Sequence, residues 1–225
     1  MTLNANATEA RVTDALTHTV ISPSILYFGT PVALIGTADT DGNPNLMPMS
    51  SVFFLGQTAV LGLGRRSQTV RNLRETGECV INLPSSNLVS QVNALALTTG
   101  RNPVPDHKAE VGYEYVADKF ARARLTPVAS DLVASPRVLE CPVALEARVV
   151  DVHDLAKHET DSRVIACEVS VLRVHVHESI RMAGHPNRID PDRWRPLIMS
   201  FQRFYGLTAE IHPSRLATID EEWYR

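Results

Sequence analysis

The residues best suited to chemistry lie between Ser50 and Gly77. One run is Ser50-Ser-Val-Phe-Phe54. The other is Leu61-Gly-Leu-Gly-Arg-Arg-Ser-Gln-Thr-Val-Arg-Asn-Leu-Arg-Glu-Thr-Gly77. Their chemistry is anion binding. Gly62 and Gly64 permit close backbone approach at a strand end. A helix opening at Ser67-Gln68-Thr69 offers free N–H groups and the positive end of its dipole. Ser67 and Thr69 add hydroxyls. Arg65 and Arg66 stand just before the helix, and the planar arginine fork suits phosphate. The bland alternative is a capped surface helix with solvated arginines. Gly62-x-Gly64 is not the dinucleotide fingerprint, because no Gly-x-x-Gly continuation follows.

Other candidate groups carry less. His175 and His177 are two apart and share a strand face, and His153 ends the neighbouring strand. No carboxylate or cysteine at a fitting spacing completes a metal site, so none is expected. Cys79, Cys141 and Cys167 are odd in number and far apart. They define neither a disulfide framework nor a zinc pair, and read as small buried hydrophobes in a reducing cytoplasm. Trp194, Phe201, Phe204 and Tyr205 form an aromatic arm that would cover a ligand or seal an interface.

The elements that must position these groups are mostly strands. Pro31–Ala38 is a compact apolar run, and Asp39–Pro44 is dense in turn formers. Asn45–Leu55 and Thr58–Leu63 read as two more strands broken by Gly56. Ser67–Thr76 has helical spacing, with Ser67 as cap and Gly77 just past the end. Cys79–Leu83 returns to strand. Pro84 opens a second helix carrying Leu88, Val92, Leu95 and Ala96. Thr98–Arg137 is irregular, with a short helical piece near Ala117–Arg122. Leu139–His153 and Arg163–His177 are long strands. In the first, Val143, Leu145, Ala147 and Val149 alternate with Ala144, Glu146, Arg148 and Val150. The expected organisation is a frayed segment at 1–20, a domain at 21–185, and a C-terminal arm at 186–225 that packs on the barrel or on a partner. The expected fold is a small, mostly antiparallel barrel with helices over its ends.

Composition excludes several classes. The 225 residues are 44% apolar and 21% charged, with a net charge of −3. That balance argues against a dedicated nucleic-acid or anionic-membrane binder. No apolar run reaches the roughly 18 residues of a membrane span. Residues 1–11 lack the order of a signal peptide, so a cytoplasmic protein is expected.

The motifs, taken in order, resemble the flavin reductase family with an FMN-binding split barrel, of flavoredoxin type. The resemblance runs through the Pro31–Ala38 strand, Asp41-Gly-Asn-Pro-Asn45, Ser50–Phe54 and Gly62–Pro84. It continues through Leu139–Glu146, Val169–His175 and Arg195–Tyr205. It implies a homodimer of split β-barrels with FMN near the subunit interface. It implies a phosphate clamp at Arg66, Ser67, Gln68 and Thr69, and a flavin-ring loop at Met49, Ser50, Ser51 and Val52. Gly64 would admit the ribityl chain, and Asn82 and Tyr205 are further cofactor candidates. The implied reaction is hydride transfer from NAD(P)H to FMN, supplying a flavin-dependent monooxygenase or another acceptor. The family's Gly-Asp-His signature falls on Thr160-Asp-Ser-Arg163, so Ser162 stands where the histidine would meet nicotinamide. Ser162 and Arg163 are therefore the nicotinamide-side candidates. The alternative is an FMN-binding flavoprotein that is not a reductase.

Overall fold

A computed structural model of the chain describes residues 17–158 and 163–224. The strands are β1 (Phe28–Pro31), β2 (Ala33–Ala38), β3 (Pro44–Met49), β4 (Val52–Leu55) and β5 (Thr58–Gly64). Helix α1 (Gln68–Thr76) and β6 (Glu78–Leu83) follow. Then come α2 (Val89–Ala94), β7 (Thr98–Thr99), α3 (Asp106–Ala109), β8 (Glu114–Tyr115), α4 (Lys119–Ala123), β9 (Pro127–Val128) and β10 (Arg137–Val138). The long strands β11 (Val143–Asp154) and β12 (Val164–Val176) precede a hairpin of β13 (Leu197–Ser200) and β14 (Arg203–Gly206). The fold is mostly β, with short helices.

Seven strands form one antiparallel sheet in the order β3-β2-β6-β11-β12-β5-β4. Its two edge strands, β3 and β4, are joined by only Ser50 and Ser51. Three Cα–Cα steps reach at most about 11 Å, so the sheet must curl until its edges come close. Among the described residues, no ladder closes it. The expected single strand over Asn45–Leu55 is therefore two strands, because the chain crosses between edges at Ser50–Ser51.

Both faces of the sheet are covered. On one side, Ile35, Leu61, Ile81, Leu145 and Cys167 pack with Val70 and Leu73 of α1. On the other, Leu34 and Leu46 pack with Val92, Leu95, Phe120 and Leu197. All six residues of β2 are buried for that reason. The C-terminal segment is tied down by its backbone: β13 pairs with β1 and β14 in a second, three-stranded sheet.

Glu146 departs from the alternation expected along β11. Residues 143–147 are buried on both faces, and Glu146 is wholly so. The segment 130–135 lies over it. Glu146 accepts the N–H groups of Asp131 (2.9 Å) and Leu132 (2.5 Å), and its Oε1 lies 2.6 Å from His175 Nε2. Burial alone would push this carboxyl up; the two backbone donors and His175 outweigh it and hold it below the ordinary range. Asp131 completes the group, and Arg173 donates to it at 2.6 Å. So His175 does meet carboxylates, from a register diagonal and from a distant loop that spacing alone did not connect. His177 instead contacts the Leu139 carbonyl at 2.8 Å, and His153 sits between Asp151 and Glu168 on the exposed end of β11.

Candidate functional site

The start of α1 has the local structure its sequence dictates. Ser67 is extended (φ −72°, ψ 156°), and its Oγ accepts the Val70 N–H at 3.1 Å. Gly77 ends the helix at φ +71°, where its N–H reaches the Leu73 carbonyl at 3.0 Å. The first-turn N–H groups of Gln68 and Thr69 have no partner within the helix. Ser67, Gln68 and Thr69 line a cleft of about 700 Å³.

Three walls face that helix start. The end of β3 gives Met47 and Met49, followed by Ser50 and Ser51. The end of β5 gives Gly62, Leu63 and Gly64. The segment after α2 gives Leu97, Thr98, Thr99 and Gly100, while Met199 and Phe204 enter from the β13–β14 hairpin. Two glycines are sterically required here. A Cβ on Gly62 would lie 2.9 Å from Ser51 Cβ, and one on Gly100 would lie 2.5 Å from Asn45 Oδ1.

Thr69 is nearly buried, and its hydroxyl accepts from Asn45 Nδ2 at 3.0 Å and contacts Met47 Sδ at 3.5 Å. The Thr69 hydroxyl is therefore engaged within the wall. Asn45 Oδ1 is buried behind the cleft wall without a hydrogen-bond partner among the described residues. An unpaired buried acceptor costs free energy unless a donor arrives.

Two lysines line the same cleft. Lys119 is 3% exposed, with no carboxylate partner among the described residues. Burial pulls its ammonium down to about 8 from an ordinary value near 10.5, and repulsion from Lys108 adds to this. Lys108 stands 5.1 Å from the centre of the Tyr113 ring and is also lowered, by burial and then by Arg101.

The expected site residues divide as follows. Met49, Ser50, Ser51, Gly64, Ser67, Gln68 and Thr69 meet at the cleft. Arg66 borders it from two adjoining grooves, and Arg163 lines one of these with Arg66 and Ser67. Val52 turns into the core instead, packed with Leu61 and Ile35. Asn82 is wholly buried away from the cleft: it donates to the Leu34 carbonyl at 3.0 Å and accepts from the Val138 N–H at 2.8 Å. Tyr205 is half exposed on β14, whereas its neighbour Phe204 lines the cleft. Ser162 lies outside the described residues, as do residues 1–16 of the N-terminal segment. Sequence reasoning missed Asn45, Gly100, Lys108 and Lys119. Only the repeated lysines near a tyrosine carried any local signal.

Comparison with known proteins decides the family. A model of the flavin reductase like domain matches residues 25–208. The chain belongs to this flavin reductase like family. A relative from Bacillus subtilis (strain 168), the uncharacterized protein YdfE, is 36% identical over 191 residues, covering 85% of this chain and 90% of that one. Flavoredoxin of Desulfovibrio vulgaris (Miyazaki F) superposes with a TM-score of 0.70 at 22% identity, covering 91% of this chain and all of that one. Nitrilotriacetate monooxygenase component B from Bacillus cereus gives 0.68 at 20% identity, covering 95% and 98%. Among the described residues, no helix is long and apolar enough to cross a membrane.

Proposed function

We propose that this protein is a cytoplasmic, NAD(P)H-dependent FMN reductase. In this reading the curled, unclosed sheet is the family's split barrel, and two copies form a homodimer. The observation that carries the reading is the cleft itself. It joins a free helix N-terminus to apolar walls, in a volume suited to a cofactor-sized ligand. FMN fits the groups present. Its phosphate matches the N–H groups of Gln68 and Thr69 with Arg66 beside them. Its ring offers polar edges to Lys119. Met47, Met49 and Leu63 supply apolar surface and exclude water. The glycine cradle at Gly62 and Gly100 leaves no room for added side chains.

Bound FMN supplies hydride acceptance from nicotinamide. The chain's contribution is to hold the phosphate at α1, to dry the ring's surroundings, and to keep a cation at Lys119 facing the cleft. None of this needs a nucleophile or a carboxylate pair. The name of the Bacillus cereus relative supports a monooxygenase as the consumer of reduced flavin. Ser162, in place of the family's histidine, favours one competing reading: a flavoprotein without reductase activity.

The test is flavin binding in Arg66→Ala. Losing a charge-assisted contact costs about 1.5–3 kcal/mol, roughly ten- to a hundredfold in FMN affinity. Riboflavin, lacking the phosphate, should bind parent and variant alike. Equal FMN affinity in both proteins removes the phosphate assignment. NADH and NADPH oxidation with added FMN separates the two readings: no oxidation of either nucleotide by the FMN-loaded parent leaves the non-reductase flavoprotein.

A further inference from the structure

Lysine is rare in this chain. Lys108, Lys119 and Lys157 are its three lysines among 22 basic residues, the rest being arginine. Two of the three line the cleft, on α3 and α4, whereas Lys157 is exposed. The two residue types are not interchangeable at a buried position. A guanidinium stays charged there, while an amine gives up its proton when desolvated.

Lys119 is placed for that. It is 3% exposed, and among the described residues no carboxylate and no hydrogen bond reaches its amine. Of the side chains that line the cleft, only Tyr27, Tyr113 and the two lysines titrate. Lys108, partly buried over the Tyr113 ring at 5.1 Å, acts on Lys119 as a like charge. The charged neighbours on α4 are engaged elsewhere: Asp118 accepts the Ala121 N–H at 2.9 Å, and Arg122 pairs with Glu114 at 2.6 Å. Desolvation and a neighbouring cation are the two conditions that keep an amine unprotonated and nucleophilic. With its value pulled down to about 8, roughly a tenth of Lys119 is the free amine at pH 7. The opposite wall carries the start of α1 at Ser67, Gln68 and Thr69. A helix start and two ammonium groups, with no carboxylate lining the cleft, favour a ligand that brings negative charge.

We propose that Lys119 is a carbonyl-capturing amine, which in the flavin-free protein forms an imine with a small aldehyde whose phosphate rests at the start of α1. The phosphate end of this inference rests on the flavin reading; the amine does not. The Nζ lone pair adds to the aldehyde carbon, and a proton passes from nitrogen to the former carbonyl oxygen. That oxygen then leaves as water while the C=N bond forms, so no oxidant or reductant takes part. The Lys108 ammonium stabilises the negative oxygen as it develops. Met47, Met49 and Leu63 limit the water that would reverse the step. The aldehyde and FMN claim the same cleft and exclude each other.

The experiment incubates flavin-free parent, Lys119→Met and Lys108→Met with glyceraldehyde 3-phosphate or with unphosphorylated glyceraldehyde. Borohydride then fixes the imine, and mass spectrometry of peptides locates it. Exposed Lys157 is the internal control. In the parent at pH 7, glyceraldehyde 3-phosphate should label Lys119 faster than Lys157 by roughly tenfold or more, since each unit of lowering is tenfold in free amine. Labelling of Lys119 should rise with pH and level off above about 8. Lys108→Met should slow it several-fold at pH 7, because loss of the like charge returns the proton to Lys119. Lys119→Met should remove the fast site. Unphosphorylated glyceraldehyde should react about tenfold more slowly at Lys119. Saturating FMN should protect Lys119 and leave Lys157 unchanged. Lys119 labelled no faster than Lys157 overturns the inference, and equal rates for the two aldehydes overturn its phosphate end. Fast labelling of Lys119 in a protein that binds no FMN supports the inference and overturns the flavin reading instead; slow labelling in a protein that binds FMN does the reverse.

Discussion

Lys119 is held where an ammonium is expensive, and the size of that expense can be worked out. Its folded-state value near 8 against an ordinary 10.5 is a gap of 2.5 units. At 1.36 kcal/mol per unit this is a destabilisation of about 3 kcal/mol at neutral pH. The sign follows from proton counts. Between pH 8 and 10.5 the unfolded chain holds the proton and the folded chain has released it, so stability rises with pH across that window. The penalty is fully present below pH 8 and absent above 10.5. Lys119→Met keeps an unbranched side chain of similar length and removes the charge. The ligand-free variant should therefore exceed the parent by about 2–3 kcal/mol at pH 7 in urea unfolding. That is about 4–12 °C in Tm for a domain of this size.

The gap should close as pH rises to 10.5, because the parent then folds with a neutral amine. Saturating FMN should shrink it at pH 7 as well, since an electron-rich ligand edge beside the ammonium stabilises the parent and not the variant. The assay is paired urea titration of both proteins at pH 7 and pH 10.5, with and without FMN. A variant no more stable than the parent at pH 7 refutes the stored cost. A gap that stays constant with pH refutes the titration of Lys119 as its cause. A gap unchanged by FMN, with FMN bound to both, refutes the placement of Lys119 against the flavin.

Two further outcomes follow from the fold. Glu146→Ala leaves the Asp131 and Leu132 N–H groups and the His175 ring without their acceptor and should cost about 3–5 kcal/mol by urea unfolding. Because this carboxyl is held below its ordinary range, the parent's extra stability over Glu146→Gln should be full above the unfolded carboxyl's value and fall away as acid protonates it; a difference independent of pH refutes that. The proposed homodimer is checked by light scattering with FMN present. Phe53, Phe54 and Leu55 on edge strand β4, with Leu172 and Val174 on β12, leave apolar surface that a second copy would cover. A monomer mass at micromolar protein removes the dimer.

What was legible in the sequence was local, and what was not was assembled across distance. Ser67 and Gly77 marked the helix ends because capping acts through a residue's own turn. The apolar runs of β2 and β6 were legible because both faces of those strands are covered, so their composition needs no periodicity. The break at Ser50–Ser51 was not, since no turn signal marks it; its cause is that the sheet's edges meet there. Glu146 read as a solvent-facing position of an alternating strand. Only the segment 130–135, folding back from 11 to 16 residues upstream, turns that face into an interior.

The polar residues of the core separate the two kinds of burial. Asn82 is a cofactor candidate only through the family resemblance, and a polar side chain in an apolar strand asks for a reason of its own. The reason is structural, since it supplies both a donor and an acceptor to backbone groups that the sheet leaves over, at Leu34 and Val138. Asn45 sits two strands away by sheet order, with β2 between, and answers differently. Its amide N–H is spent on Thr69 while its oxygen has nothing to accept. Lys119 pairs with nothing at all among the described residues. Unpaired buried atoms also occur away from the cleft, Ser135 Oγ among them, but Asn45 and Lys119 stand together at one cleft. Interior polar groups left unpaired by the fold are stabilised when something outside the fold pairs them. A buried ammonium without a carboxylate partner beside a helix start, rather than polarity or an orphan atom as such, is what favours the cleft wall as the binding surface in the proposed reading.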